Sequence, residues 1–265
     1  MTSQPTAGAS EYSAITACRI CGGTNLTSVL SLGEQYLTGV FPRSPSEPLT
    51  RGPLELVWCS HCGLLQLKHS YSLSEMYGAN YGYRSGLNAS MVRHLEQKVH
   101  YLERLARPGA RDTVIDIGSN DATLLNAYQK GPCKIGVDPT GPKFQRFYRD
   151  DTRLIPRFFS ATVLDEALSG GKAKIISSIA MFYDIERPRE FVRDIAACLA
   201  DDGVWHFEQS YMPSMLRTNS YDTICHEHLE FYSFKVVADL LAAAGLRVID
   251  VQMNAVNGGS FAVTA

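Results

Sequence analysis

"TVIDIGSND", Thr113–Asp121, decides how this chain folds. It reads as an apolar strand that ends at Gly118, and "DATLLNAYQK" (121–130) follows it with helical spacing. The pattern then recurs. "CKIGVDP" (133–139), "TRLIPRFF" (152–159), "AKIISSIA" (173–180) and "GVWHFEQS" (203–210) each read as a strand, with a helical segment between successive ones. "SFKVVADLLAAAG" (233–245) is a helix, with Ser233 as its N-cap and Gly245 as its stop. "LRVIDVQMN" and "GGSFAVTA" close the chain as two strands, and Asn257-Gly258-Gly259 between them is a hairpin signal. Alternation of strand and helix predicts a parallel sheet covered on both faces.

Ligands of such sheets lie at the carboxyl ends of the strands. There Gly118 lets backbone approach a ligand closely, and Asp138 ends the second strand about 20 residues on. A carboxylate so placed accepts hydrogen bonds from both ribose hydroxyls. The blander reading is an ordinary strand–helix turn and a solvated aspartate. A dinucleotide would favour GxGxxG; only the first glycine is present, and Asn120 stands where the second would be. The missing glycines favour S-adenosylmethionine (SAM), and a terminal antiparallel hairpin on a parallel sheet is the arrangement of class I SAM methyltransferases. The cofactor is expected over Asp116, Gly118, Ser119 and Asn120, with its ribose on Asp138 and its adenine near Phe158 and Phe159.

Upstream, Leu87, Met91, Leu95, Val99, Leu102 and Leu105 recur at helical spacing, predicting an amphipathic helix over 85–106 that stops at Pro108-Gly109. Further upstream are two CxxC pairs, "CRICGG" and "CSHCGL". Tetrahedral zinc takes four soft ligands, and two such knuckles supply Cys18, Cys21, Cys59 and Cys62. Gly22 and Gly63 can take the positive φ that each knuckle needs. Four cysteines leave no open coordination position, so this zinc is structural. Buried thiols or a redox pair is the competing reading, but a redox CxxC needs no twin. His61, between two ligands, reads as a bystander. The proline-rich insert "FPRSPSEPLTRGPLELVW" is expected to loop outward before a short strand.

The bulk numbers narrow the function. The chain has 265 residues, 45% hydrophobic and 20% charged, with a formal net charge of −2. That balance supports a core and gives no electrostatic attraction to nucleic acid or an anionic membrane. No apolar run is long enough to span a bilayer, and the N-terminus has no signal-peptide design. Seven cysteines, an odd count, point to a reducing compartment without disulfides, hence a cytoplasmic protein. The expected organisation is a tail (1–15), a zinc-binding domain (16–72), a linker and first helix (73–110) and a SAM-binding domain (111–265), as a monomer or weak dimer.

The paired CxxCG knuckles, "YGYRSGLNASM", "VIDIGSNDATLL", "GVDPT", "MFYDIERPREFVRDI", "EQSYMPSML" and "YDTICHEHLEFYS" occur together and in order from Cys18 to the end of the chain. In this the chain resembles the zinc-containing sugar C-methyltransferases of deoxysugar biosynthesis, which act on nucleotide-linked 4-keto-6-deoxysugars. The resemblance implies His228 as the base, Glu227 holding its neighbourhood or a sugar hydroxyl, and Tyr81 and Tyr83 lining the substrate pocket. It departs from the family at three places. Ala122 stands where glycine is usual, a harmless change if that residue is helical. Cys225 stands where tyrosine is common, which removes a phenol donor toward substrate. The family also usually carries a further C-terminal lobe, whereas this chain ends in the last strand of the SAM domain.

"YDTICHEHLEFYSF" (221–234) contains His226, Glu227 and His228. In an extended segment His226 and His228 would share a face and could chelate together, but no third ligand is offered nearby. Satisfied structural histidines are the second reading. The third is proton transfer: methylation at carbon needs a base near neutral pKa, and imidazole fits. Here His228 is expected to be the base and His226 mainly structural. O- or N-methylation of a related sugar, and a zinc-ribbon RNA-binding module, are the rival functions; the acidic pI argues against the second.

Overall fold

The computed structural model describes residues 12–39, 41–47, 49–78, 81–129 and 131–265. The expected tail over 1–15 lies outside these as far as residue 11; Tyr12–Ala14 of the remainder is a strand. The N-terminal elements are β1 (Tyr12–Ala14), β2 (Leu26–Tyr36), β3 (Arg51–Cys59), β4 (Leu65–Leu67), β5 (His69–Tyr71) and α1 (Leu73–Met76). β1 pairs antiparallel with β5. β2 and β3 form a long antiparallel hairpin whose register slips twice, between Ser28 and Leu30 and between Ser31 and Glu34. The insert therefore returns as a nine-residue strand, with Pro53 inside it.

α2 (Ala89–Ala106) follows, and then β6 (Thr113–Ile117), α3 (Thr123–Ala127), β7 (Cys133–Val137), β8 (Thr152–Ile155), α4 (Ala161–Leu168), β9 (Ala173–Ile179), α5 (Pro188–Cys198), β10 (Leu199–Ser210), α6 (Met212–Thr218), β11 (Glu230–Phe231), α7 (Phe234–Ala243), β12 (Asp250–Asn254) and β13 (Ser260–Thr264). Seven strands form one sheet in the order β12-β13-β10-β9-β6-β7-β8. β10, β9, β6, β7 and β8 run parallel to their neighbours, and β13 runs antiparallel to both β10 and β12. This is the sheet of class I methyltransferases. Its central strands are buried on both faces, so they read as nearly unbroken apolar runs such as Val114-Ile115 and Ile175-Ile176.

Three helix expectations need correction. α2 begins at Ala89, because Asn88 caps it by accepting the Ser90 N–H at 3.0 Å. Leu87 lies in a preceding 3₁₀ turn and is 70% exposed, so it is no part of the buried face. α2 packs that face, Leu95, Val99 and Leu102, against Val114, Leu124 and Ile175. α3 is only five residues long: Tyr128 turns to an extended backbone and buries its ring in that same cluster. Lys130, the end of the predicted helical run, falls outside the described residues. Ser233 does precede α7 with an extended backbone, but its side chain makes no capping hydrogen bond.

The N-terminal lobe is tied to the sheet lobe by a strand from far along the chain. β11 is the fourth strand of the sheet β11-β4-β3-β2 and pairs Glu230 with Gln66 and Phe231 with Leu65. Arg19, between two cysteines of the first knuckle, donates to the Leu67 carbonyl at 2.5 Å and to Ser70 Oγ at 2.8 Å, and its Nε lies 3.4 Å from Glu186. The stretch that carries the two histidines thus leads straight into the N-terminal lobe's sheet.

Candidate active site

A cavity of about 430 Å³ opens at the carboxyl ends of β6, β7 and β9, a size that suits a small-molecule site. Asp116, Gly118, Ser119, Asn120, Asp138, Phe158 and Phe159 all line it. Its loop is tightly organised. Asp138 Oδ2 accepts the Asn120 N–H at 2.7 Å, and Oδ1 accepts the Thr140 N–H and hydroxyl, both at 2.6 Å. An ionised carboxylate has further acceptor capacity on both oxygens, so Asp138 holds the loop and still faces the cavity. Asp116 takes a 2.6 Å hydrogen bond from Ser177, and burial pushes its carboxyl up to about 7. Tyr148 donates to the Asn120 carbonyl at 3.0 Å, leaving Ser119 to donate to the Tyr148 oxygen at 2.7 Å.

Two glycines make this loop possible. Gly118 has φ +74°. Gly136, inside β7, leaves room for Ser119, whose Oγ would lie 2.5 Å from a Cβ there. A glycine within a strand is a sequence signal of close approach, yet Gly136 and Tyr148 escaped the sequence reading. Ala122 corrects an expectation: it is not helical but left-handed, at φ +60° and ψ +18°, a conformation that costs a residue with a Cβ roughly 1–2 kcal/mol. Asn120 (φ +49°) and Ala180 (φ +53°), which faces the same cavity, are also left-handed. Backbone strain gathered at one mouth is a feature of functional sites.

Tyr81 and Tyr83 line the cavity too. Lys143 Nζ donates to the carbonyls of Gly78 and Tyr81 at 2.8 and 2.9 Å. Cys225, His226, Glu227 and His228 are not among the lining residues. They form a turn closed by the His228 N–H on the Cys225 carbonyl at 3.2 Å. The segment is therefore not extended, and the two imidazoles part. His226 is buried, edge-on to Tyr71 with ring centroids 4.8 Å apart and Nε2 3.4 Å from the Gly52 carbonyl; burial lowers its pKa. His228 packs on Tyr183 at 4.1 Å between ring centroids, and its Nδ1 lies 2.9 Å from the Thr223 carbonyl. A carbonyl only accepts, so Nδ1 donates here and Nε2 is the ring nitrogen that can gain or lose a proton. Glu227 fits against Gly39 of the N-terminal lobe, where any Cβ would collide with its carboxyl, and burial raises its pKa. Burial pushes the Cys225 thiol up to about 11, so at neutral pH it is a weak neutral donor.

Between the cavity and this turn lies a residue that the sequence reading passed over. Asp184 lines the cavity, accepts the Tyr77 hydroxyl at 3.1 Å on Oδ2, and is held well above the usual carboxylate range by burial. Its signal was its place just past the fourth strand of the alternating pattern.

The four knuckle cysteines converge, their Sγ atoms all within 4.8 Å of one another. Cys18 Sγ is 3.6 Å from Cys62 Sγ, and Cys21 Sγ is 3.5 Å from Cys59 Sγ. Tetrahedral zinc with bonds of about 2.3 Å needs sulfur–sulfur distances of about 3.8 Å, so the set fits the metal. Each knuckle is a turn closed by a glycine: Gly22 N–H on the Cys18 carbonyl and Gly63 N–H on the Cys59 carbonyl, both 2.9 Å, with φ +72° and +82°. No other cluster of three or more potential ligands occurs among the described residues, which removes the histidine chelate. Among them, too, no helix is long and apolar enough to cross a membrane.

Comparison with known proteins agrees with this division of the chain. Residues 18–77 match a family described as a zinc binding domain, and residues 88–251 match one described as a methyltransferase domain. The C-methyltransferase NovU of Streptomyces niveus is 32% identical over 256 residues. The alignment takes in 95% of this chain and 60% of NovU, so the chain spans about three fifths of that relative. Among solved structures, the complex of the Haloferax volcanii Trm112 methyltransferase activator with its methyltransferase superposes with a TM-score of 0.53 at 17% identity, covering 65% of this chain and 88% of that one. LepI in complex with SAM gives 0.50 at 14% identity, over 68% of this chain and 53% of that one. With the sheet order, the cavity at its carboxyl edge and the match over residues 88–251 in agreement, the chain belongs to the methyltransferase-domain family and carries a zinc binding domain ahead of it.

Proposed function

We propose that this chain transfers a methyl group from SAM to carbon 3 of a nucleotide-linked 4-keto-6-deoxysugar, with His228 as the base. The observation that carries this is the setting of His228: its Nδ1–H donates to the Thr223 carbonyl, which leaves Nε2 as the nitrogen able to take a proton, and the ring packs on the segment that walls the cavity. Relatedness to a C-methyltransferase supports carbon as the acceptor.

A ketone at carbon 4 acidifies the hydrogen on carbon 3, and a neutral imidazole is matched to removing it at neutral pH. When bound, SAM supplies an electrophilic methyl group. The loop Asp116–Asn120 with Asp138 is the part of the chain that would hold it, Asp138 through the ribose and Phe158 and Phe159 beside the base. Phe158 is half exposed at the cavity rim and Phe159 packs on Phe191 at 5.0 Å, so an aromatic ring can be seated there without rebuilding the core. Tyr81 and Tyr83 would meet the sugar. Glu227, held against Gly39, would keep the turn in place for His228. Cys18, Cys21, Cys59 and Cys62 would hold zinc away from the chemistry, steadying the lobe that supports Glu227 and His226.

Incubation with labelled SAM and a panel of nucleotide-linked 4-keto sugars, read by mass spectrometry, tests this directly. In D₂O the product should lose the original hydrogen at carbon 3. Methylated product in which that hydrogen survives would mean methylation at oxygen or nitrogen.

A further inference from the structure

Asn120 stands where the backbone turns left-handed after β6, at φ +49°. Asparagine is a common choice for that conformation on backbone grounds alone. Here its side chain has a second task. Oδ1 accepts the Ser85 N–H at 3.0 Å, and Nδ2 donates to the Tyr83 carbonyl at 3.1 Å. The amide thus grips the backbone on both sides of Arg84, which is extended at φ −143° and ψ +119°. With its N–H on Asp138 and its carbonyl taking the Tyr148 hydroxyl, each hydrogen-bonding group of Asn120 has a partner within the chain.

What it grips is a strap, Tyr81–Gly86, on the cavity wall. Tyr81, Tyr83 and Ser85 line the same cavity as Gly118 and Asp138. Tyr83 is 51% exposed and Asn120 only 6%, so the strap is the outer layer here and the loop the inner one. Further ties run the same way. The Gly86 N–H donates to Asp121 Oδ2 at 3.0 Å. Arg84 lies 3.8 Å from that oxygen, with its guanidinium 4.3 Å over the Phe147 ring. Gly86 permits the close fit: a Cβ there would stand 2.6 Å from Asp121 Oδ2 and 3.0 Å from Thr123 Oγ1. At the other end Lys143 holds the Tyr81 carbonyl. These ties come from the loop after β6, from α3 and from the connection between β7 and β8, the stretches that surround the cofactor loop.

We propose that Asn120 is a positioning residue that works as a latch: its side-chain amide holds the strap Tyr81–Gly86 closed over the cavity, and SAM enters and leaves when that grip opens. Both bonds of the grip join parts of the chain itself, so the latch closes with or without a ligand and resists exchange in both directions. The residue type fits the task. Glycine would take the same φ but has no amide, and aspartate would set a carboxylate oxygen against the Tyr83 carbonyl. Asparagine supplies both the turn and the grip. Closure keeps Tyr81 and Tyr83 on the cavity wall and shields bound SAM from water. The inference concerns SAM exchange alone and holds for any methyl acceptor.

Stopped-flow binding kinetics of SAM on the zinc-loaded chain test this. Asn120→Gly keeps the left-handed backbone and deletes the amide. Two ordinary hydrogen bonds together shift an opening equilibrium by roughly tenfold, so the association and dissociation rate constants should both rise by about that factor, with affinity staying within about threefold. An Asn120 that touched SAM directly would raise dissociation alone. That outcome overturns the proposal, and so do unchanged rates. In hydrogen exchange of the same variant, read by NMR without SAM, the Ser85 N–H should exchange roughly tenfold faster. Unchanged protection at Ser85 also overturns the proposal. Gly86→Ala crowds the strap off Asp121 and Thr123 from its own side and leaves Asn120 in place. It too should raise both rate constants. Should Asn120→Gly lose its fold by near-ultraviolet circular dichroism, Gly86→Ala decides alone: a joint rise supports the latch, and unchanged rates overturn it.

Discussion

The loop after β6 and the turn at Cys225–His228 are joined by the segment that follows β9 and are built on opposite terms. In the loop each key polar group has found its partner within the chain: Asp138 on Asn120 and Thr140, Ser119 on Tyr148, Asp116 on Ser177. At the turn and its neighbour Asp184, buried polar atoms are left over, among them Asp184 Oδ1, Glu227 Oε1 and His226 Nδ1. Buried polar atoms without partners are costly. The contrast teaches that the loop after β6 is internally satisfied by its own strands and their neighbours, whereas the turn, with Asp184 and Gly39, is assembled from three distant stretches and keeps buried polar atoms without partners.

The largest expected effect would break the comparison by dissolving one side. Cys21→Ser removes one of four zinc ligands, and structural zinc contributes roughly 10 kcal/mol or more of folding free energy. Residues up to about 70 should lose their fold, and the turn should loosen with them because β11 pairs with β4. Metal analysis should then find no zinc. Amide exchange should speed up at Leu67 and Leu229, whose N–H groups donate to Leu229 and Tyr183 carbonyls, while SAM binding should survive. Loss of SAM binding together with zinc would show that the loop is not self-sufficient.

Next in size is His228→Asn, which keeps hydrogen bonding but removes the proposed base. Turnover should fall by roughly 10²–10⁴-fold with SAM affinity nearly intact. His226→Asn should cost less turnover and more stability, since His226 is the buried one of the pair. The opposite ranking in paired kinetic and thermal-unfolding measurements would exchange their roles.

Asp138→Ala should weaken SAM binding by about 1.5–3 kcal/mol, the usual worth of hydrogen bonds to a charged group, without abolishing the fold. Calorimetry giving unchanged affinity would confine Asp138 to its role of holding Asn120 and Thr140. The smallest effect belongs to Ala122→Gly. Relief of the left-handed backbone is offset by lost burial of a methyl group and by glycine's extra flexibility, so stability should move by no more than about 1 kcal/mol. A larger change in the denaturation midpoint would mean that the strain in this loop is not local.

The same contrast explains what was legible beforehand. The alternation of strands and helices, each CxxC knuckle and the Gly118 turn carry short local signatures, so pattern alone recovers them, although the partners that complete the loop, such as Tyr148 and Ser177, lie further along the chain. Where the pattern misled, a local turn or cap had overridden the periodicity. Ala122 was taken as helical, but the route from Ser119 to α3 forces it left-handed. Leu87 fits the period of α2, but Asn88 starts the helix after it. The histidines were spaced for a shared face, and a turn parted them.

By itself, the sequence determined that four cysteines would form two knuckles, that a parallel sheet would end in a hairpin, and that Gly118 and Asp138 would lie at its carboxyl edge. Each of these follows from local backbone preference, side-chain periodicity or ligand spacing. Only the tertiary structure decided that β11 would join the N-terminal sheet, that Gly39 would receive Glu227, and that Asp184 would stand between the cavity and His228. Those relations join residues from 44 to 188 positions apart, and the free energy that sets them is burial and desolvation shared by surfaces that no local pattern encodes.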